Sequence, residues 1–200
     1  MDSPLNFTND WFEVARLNWE FIFDRIRPCR VLEVGSYEGA SACFSITKVC
    51  STGHPLEIHC IDTWKGGVEH DPAQMASVES RFHSNTRKVM DQVEGKVDMV
   101  VHKEKSVLAL SSLLGNGGEE YFDFIYIDGS HMACDVLSDA VLSFELLRHG
   151  GILAFDDYAW RDQKNLSMCP KMAIDSFVNC NYDRIDLLRL PLYQIYCAKK

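Results

Sequence analysis

Short apolar runs alternate with helical patterns along this chain. That alternation predicts a parallel sheet covered on both faces, because a strand buried on two sides reads as a continuous apolar run. The runs fall at 30–34, 57–61, 97–102, 122–127 and 151–155. Between the last two, Ala133, Val136, Leu137, Ala140, Val141, Phe144 and Leu147 recur at helical spacing, predicting a helix that starts after Ser130 and stops at Gly150-Gly151. An opening helix over 9–26 gathers Phe12, Ala15, Trp19, Ile22 and Ile26 on one stripe, and Arg27-Pro28 closes it. Beyond the fifth strand come an irregular stretch at 158–167, a short helix at 170–179, and two segments, 182–188 and 191–197, close enough to form an antiparallel hairpin. The expected fold is α/β: a doubly wound, Rossmann-like, seven-stranded and mostly parallel sheet with one antiparallel late strand and helices on both faces. One domain is expected over 1–200, with an N-terminal helix (1–28), a cofactor-binding core (29–160) and a C-terminal helix and hairpin (161–200). The loop 63–73 is the longest stretch without a pattern and is the place to expect a lid.

Composition then narrows the partners. A net charge of −9 repels a phosphate backbone, so no nucleic-acid partner is expected. Arg81, Arg87 and Lys88, the nearest approach to a basic patch, read as the wet face of a helix. No segment approaches the roughly 20 apolar residues of a membrane span, and no basic leader precedes an apolar run, so a cytoplasmic chain without a membrane partner is expected. Eight cysteines show no C-x-x-C pair and read as reduced thiols, with Cys43, Cys60 and Cys134 in apolar patterns. What remains is a small-molecule acceptor, while the apolar C-terminal hairpin offers an edge at which a homodimer would pair.

The chemistry begins at Val31-Leu32-Glu33-Val34-Gly35-Ser36-Tyr37-Glu38-Gly39, a buried strand that enters a glycine-containing turn before a helix. Such a turn lies at the carboxyl end of the strands, where these sheets bind ligands, and Gly35 and Gly39 permit tight geometry and close approach of a ligand. A dinucleotide site wants G-x-G-x-x-G, and Tyr37 stands where its second glycine belongs. A cofactor without phosphates fits better: Glu33 attracts an ammonium, and Asp62, at the tip of the next strand, accepts ribose hydroxyl protons. S-adenosylmethionine (SAM) meets both conditions. Lys105-Ser106, after the strand 97–102, are candidates to border its adenine.

Four ordered motifs carry a resemblance. Leu32-Glu33-Val34-Gly35-Ser36-Tyr37-Glu38-Gly39-Ala40-Ser41, Cys60-Ile61-Asp62-Thr63-Trp64, Tyr126-Ile127-Asp128-Gly129-Ser130-His131 and Phe155-Asp156-Asp157-Tyr158 resemble class I SAM-dependent methyltransferases. The likeness is closest to the small bacterial group that includes macrolide and aminocoumarin sugar O-methyltransferases. It implies that Glu33, Gly35, Ser36, Asp62 and Trp64 surround SAM, with Tyr37, Gly39, Thr63 and Asp128 completing the cofactor set. It also implies a base at the D-x-x-[KH] position, which His131 fills.

Asp128 leaves the fourth strand and Asp156-Asp157 leave the fifth, so three carboxylates are expected to converge. Such a cluster suits Mg²⁺, which would grip the acceptor and acidify its hydroxyl. His131 is placed to take the hydroxyl proton, with Asp128 beside it in the catalytic set. His70, with Trp64, Glu69 and Asp71, is expected near the acceptor, and Trp160 and Trp11 are candidates for an aromatic wall. Trp19 and Cys134 read as core. Three rivals to a metal-assisted O-methyltransferase stay open: metal-independent transfer, a noncatalytic SAM-binding domain, and a nicotinamide dehydrogenase.

Overall fold

The computed structural model describes residues 4–67, 72–161, 165–191 and 193–200. A 3-10 turn at Trp11–Val14 leads into α1 (Arg16–Ile26), so the expected opening helix is two pieces. No side chain caps the first piece, and its tighter winding buries Phe12 and Ala15 together. There follow β1 (Arg30–Val34), α2 (Ala40–Cys50), β2 (Leu56–Ile61), α3 (Pro72–Met75), α4 (Val78–Met90), β3 (Val97–His102) and α5 (Ser106–Gly115). The second half holds β4 (Phe122–Ile127), α6 (Ala133–Leu146), β5 (Leu147–Phe155), α7 (Pro170–Cys180), β6 (Ile185–Leu187) and β7 (Ile195–Lys199).

The seven strands run in the order β3-β2-β1-β4-β5-β7-β6. Strands β1 to β5 pair in parallel, and β7 lies antiparallel to both β5 and β6. The expected doubly wound sheet with one reversed late strand is therefore present. One difference lies at the end of α6, which stops at Leu146 rather than at Gly150-Gly151. Leu147 already pairs with Phe122, and the register slips before Phe124, so the two glycines sit inside β5. At Gly151 a Cβ would stand 2.8 Å from Leu147 Cδ1, which explains the glycine there without any helix end.

Two apolar layers sandwich the sheet. One packs α1, α2 and α4 against it around Trp19, Phe44, Phe82 and Phe124, and the other packs α5, α6 and α7 around Leu110, Phe144, Phe155 and Phe177. Trp19 is fully buried, with the rings of Phe124 and Tyr126 edge-on at 4.7 and 4.8 Å. Truncating it to alanine is expected to cost roughly 3–5 kcal/mol. Cys134, by contrast, is exposed rather than core, because it falls on the solvent side of α6. No helix among the described residues is long and apolar enough to cross a membrane.

This order fixes the site. Strand order reverses between β1 and β4, and the turns after β1, β2, β4 and β5 leave the same edge of the sheet.

Candidate functional site

Three of the five non-glycine residues with positive φ among those described are Tyr37 (45°), Trp64 (50°) and Asp157 (56°). Each sits in a turn at that edge. Left-handed backbone at bulky residues is costly and persists only when neighbours enforce it, so its clustering marks a built site.

Asp62 is the organiser of the first two turns. Its Oδ2 accepts from the backbone N–H of Ser36 (2.9 Å) and Tyr37 (2.8 Å), and its Oδ1 from that of Trp64 (2.7 Å). A carboxylate has about four acceptor positions, so these bonds leave room for one of the two ribose hydroxyls expected there. Trp64 Nε1 donates to Tyr37 O at 2.9 Å, and Thr63 Oγ1 accepts from Lys65 N at 3.2 Å. The turn is thereby pinned from the side of β2.

A Cβ on Gly35 would fall 2.0 Å from the Asp128 carbonyl oxygen, and one on Gly39 would meet Phe82 and Thr86 of α4 at 3.0 and 3.2 Å. Their bareness admits protein: the turn after β1 is packed directly on the turn after β4 and on α4. Glu33 lies under the first turn of α2, with Oε2 accepting from Ser41 Oγ at 2.7 Å. Burial raises its carboxyl above the usual range, against that hydrogen bond. Glu33 Oε1 and Ser36 Oγ are shut off from solvent without a hydrogen-bond partner. Ser36 and Cys60 lie close enough to lower the Glu33 carboxyl but complete no hydrogen bond with Oε1, and this unmet polarity at the turn after β1 fits a polar ligand with an ammonium and hydroxyls. Lys105 is the exposed residue before α5, and Ser106 lies beside the buried Asp139 of α6, whose carboxyl it lowers against the effect of burial.

At the tips of β4 and β5 the Tyr126 hydroxyl lies within hydrogen-bond reach of Asp128 Oδ2 (2.9 Å) and of Asp156 Oδ2. It carries one proton for two carboxylates. Gln194 Nε2 donates to Asp156 Oδ2 at 2.7 Å, while Gln194 Oε1 accepts from Trp19 Nε1 at 3.0 Å and from the Tyr196 hydroxyl. Close packing of its carboxyl and then the Asp156 and Asp157 charges push Asp128 above its ordinary range although the residue itself is exposed, and burial leads the rise at half-buried Asp156. Burial and the same two acids, Asp128 and Asp156, keep the Tyr126 phenol protonated.

Asp157 departs from the expected trio. Its Oδ2 lies 2.6 Å from His131 Nε2, and the His131 ring packs against Trp160 at 4.3 Å between centroids. The Asp157 N–H is tied to Asp156 Oδ1 at 2.7 Å. Two carboxylates converge and the third orients the imidazole. Among the described residues no group of three or more His, Cys, Asp or Glu is set to hold a metal ion. His70, Glu69 and Asp71 lie outside the described residues.

The methyltransferase domain family matches residues 32–158, a span that contains all four turns. The chain belongs to this family. A curated relative of this methyltransferase, the probable caffeoyl-CoA O-methyltransferase 3 of Dictyostelium discoideum, is 28% identical over 128 residues, covering 64% of this chain. The match spans only 43% of that relative's length. An O-methyltransferase from Bacillus cereus, solved with S-adenosylhomocysteine (SAH), superposes over 99% of this chain and 84% of its own with a TM-score of 0.61 and 17% identity. TomG from Streptomyces achromogenes, involved in tomaymycin synthesis and solved with SAM, covers 98% of this chain and 82% of its own at a TM-score of 0.60 and 14% identity. At such identities the likeness speaks to the fold.

Several residues of the methyltransferase site escape sequence reasoning. Tyr126 and Gln194 are apolar-run and hairpin positions by pattern, and only the sheet brings them to Asp156. Arg81, expected on a wet helix face, instead pairs its Nε with Glu38 Oε1 at 2.5 Å, where Glu38 is 2% exposed. A buried carboxylate demands a cation, and α4 supplies it.

Proposed function

We propose that this methyltransferase transfers the methyl group of SAM to a hydroxyl oxygen of a small acceptor, with His131 as general base. The observation that carries this reading is the His131–Asp157 pair at the switch point of the sheet. Asp157 accepts from His131 Nε2–H, which fixes the tautomer so that the basic lone pair sits on Nδ1, an atom shut off from solvent that the acceptor reaches only when its cover moves. Trp160 holds the ring against rotation. Bound SAM supplies an electrophilic methyl on a sulfonium, and transfer leaves neutral SAH. The acceptor oxygen forms the new C–O bond as its proton passes to His131, so the protein chiefly aligns the two and removes one proton. Asp62, Glu33 and Ser36 are the residues proposed to meet the cofactor, with Tyr37 and Trp64 shaping its turn.

A divalent cation is the second reading, favoured by Asp128 and Asp156. These acids, Asp128 exposed and Asp156 half-buried, share one tyrosine proton, and neither forms an ion pair with Lys or Arg among the described residues. Their charge and oxygen chemistry fit a hard ion such as Mg²⁺. Asp128 and Asp156 would hold it while Asp157 stays on His131, and it would acidify the acceptor hydroxyl.

The test is SAH formation, followed by mass spectrometry, with SAM and a panel of small hydroxylated acceptors, in Mg²⁺ and in excess chelator. His131→Gln is expected to lower turnover by about 10²–10⁴-fold with SAM affinity unchanged. Full turnover in that variant would sink the general-base role. Loss of turnover in chelator selects the metal-assisted reading, and unchanged turnover removes it.

A further inference from the structure

Glu38 is the buried acid of the cofactor turn, and the chain ahead of α1 reaches back to it. Glu38 Oε2 accepts from Thr8 N at 2.6 Å, and Oε1 from Thr8 Oγ1 at 2.8 Å and from Arg81 Nε at 2.5 Å. Asn85 of α4, fully buried, clasps the same segment: its Oδ1 accepts from Asn6 N at 2.8 Å, and its Nδ2 donates to Asn6 O and to Glu38 O, both at 3.0 Å. Asn85 thus matches the backbone of Asn6 as a neighbouring strand would. Phe7 packs on the apolar layer below, and the Trp11 ring lies 5.3 Å from that of Tyr37.

We infer that residues 5–11 form a strap that holds the cofactor turn in its binding shape, with Thr8, Glu38, Arg81 and Asn85 as positioning residues for the cofactor. The inference rests on the proposal that this turn binds SAM. Glu38 lies between Tyr37, whose φ is 45°, and Gly39, so its fixation decides whether the Ser36 and Tyr37 N–H groups stay on Asp62. Thr8 and Asn6 are themselves exposed, yet their N–H groups are bonded only while the segment is docked. Docking of the strap and binding at the turn therefore favour one another, and thermodynamic linkage makes the effect reciprocal.

The experiment uses the full chain. Amide hydrogen exchange at Asn6 and Thr8 is followed with and without saturating SAH, and SAH affinity is measured by calorimetry for the wild type, Thr8→Val and Thr8→Ser. Exchange at both amides is expected to slow by about tenfold or more in SAH. Thr8→Val, which keeps the shape and loses the hydroxyl, is expected to bind SAH about fivefold more weakly, whereas Thr8→Ser binds as the wild type does. Because residue 8 is exposed, both variants leave the apolar layers intact. Wild-type binding of SAH with unchanged exchange and an unaffected Thr8→Val variant would overturn the strap alone. Failure of the wild type to bind SAH would overturn the cofactor reading and the strap with it.

Discussion

The tips of β1 and β2 and the tips of β4 and β5 both carry clustered acids, but they satisfy them in opposite ways. On the first side Asp62 receives three backbone N–H groups and Glu38 receives a guanidinium and both donors of Thr8. On the second side Asp128 and Asp156 lean on one tyrosine hydroxyl, with a neutral amide as the other side-chain donor to Asp156. Neutralised carboxylates build a rigid turn; uncompensated ones hold a standing demand for a proton or a cation. Acids of the second kind are the ones whose environment suits chemistry. The proposed cofactor side is therefore pre-organised, and the proposed transfer side is electrostatically primed.

Removing Asp62 should break the comparison most visibly. Asp62→Ala strands three backbone donors and frees the turn, so SAH affinity is expected to fall by about 100-fold or more, or ~2.7 kcal/mol in a calorimetric titration. A loss below tenfold would mean that the turn is held without it, and the contrast between the two sides would collapse.

A third buried acid sharpens the contrast. Asp139 lies between α6 and α5, away from the strand tips, and burial pushes its carboxyl up to about 6 despite the lowering effect of Ser106. A folded-state value above the unfolded one gives stability that is present below about pH 4 and lost as pH rises toward 6. Asp139→Asn is then expected to be more stable than the wild type by about 2 kcal/mol at pH 8 and equal to it at pH 4, measured by urea unfolding. Equal stability at both pH values would show that an uncompensated acid need not carry strain, and the argument from Asp128 and Asp156 would weaken with it.

Legibility in the sequence divides along the same line. Strand positions were readable because apolar runs are local, and the turn residues because glycine and aspartate recur just where those runs end. Partners were not readable. Glu38 finds Arg81, Thr8 and Asn85 only through the packing of α4 and the N-terminal segment on α2, and Gln194 reaches Asp156 only because β7 lies beside β5. That Gly35 must also make room for the Asp128 carbonyl was not readable either. Local pattern reveals which backbone a residue sits on, whereas the worth of its charge depends on neighbours far away in the chain.

The smallest expected effect lies at Asp156. Burial raises this carboxyl and Asp128 together, so the ionised pair weakens the metal-free fold as pH rises above the ordinary carboxylate range. Asp156→Asn removes one charge while its carbonyl still accepts from Gln194 and Tyr126. With chelator present, this variant should be more stable than the wild type at pH 8, and the gap should narrow as pH falls toward 4, where the folded-state acids take up protons. The order of the two effects matters. If Asp156→Asn destabilises at pH 8, the Tyr126 and Gln194 bonds outweigh the repulsion, and the transfer side is as fully satisfied as the cofactor side. If it stabilises, the protein is maintaining a charge against its own folding, as expected of a group retained for what it does to an acceptor or a cation.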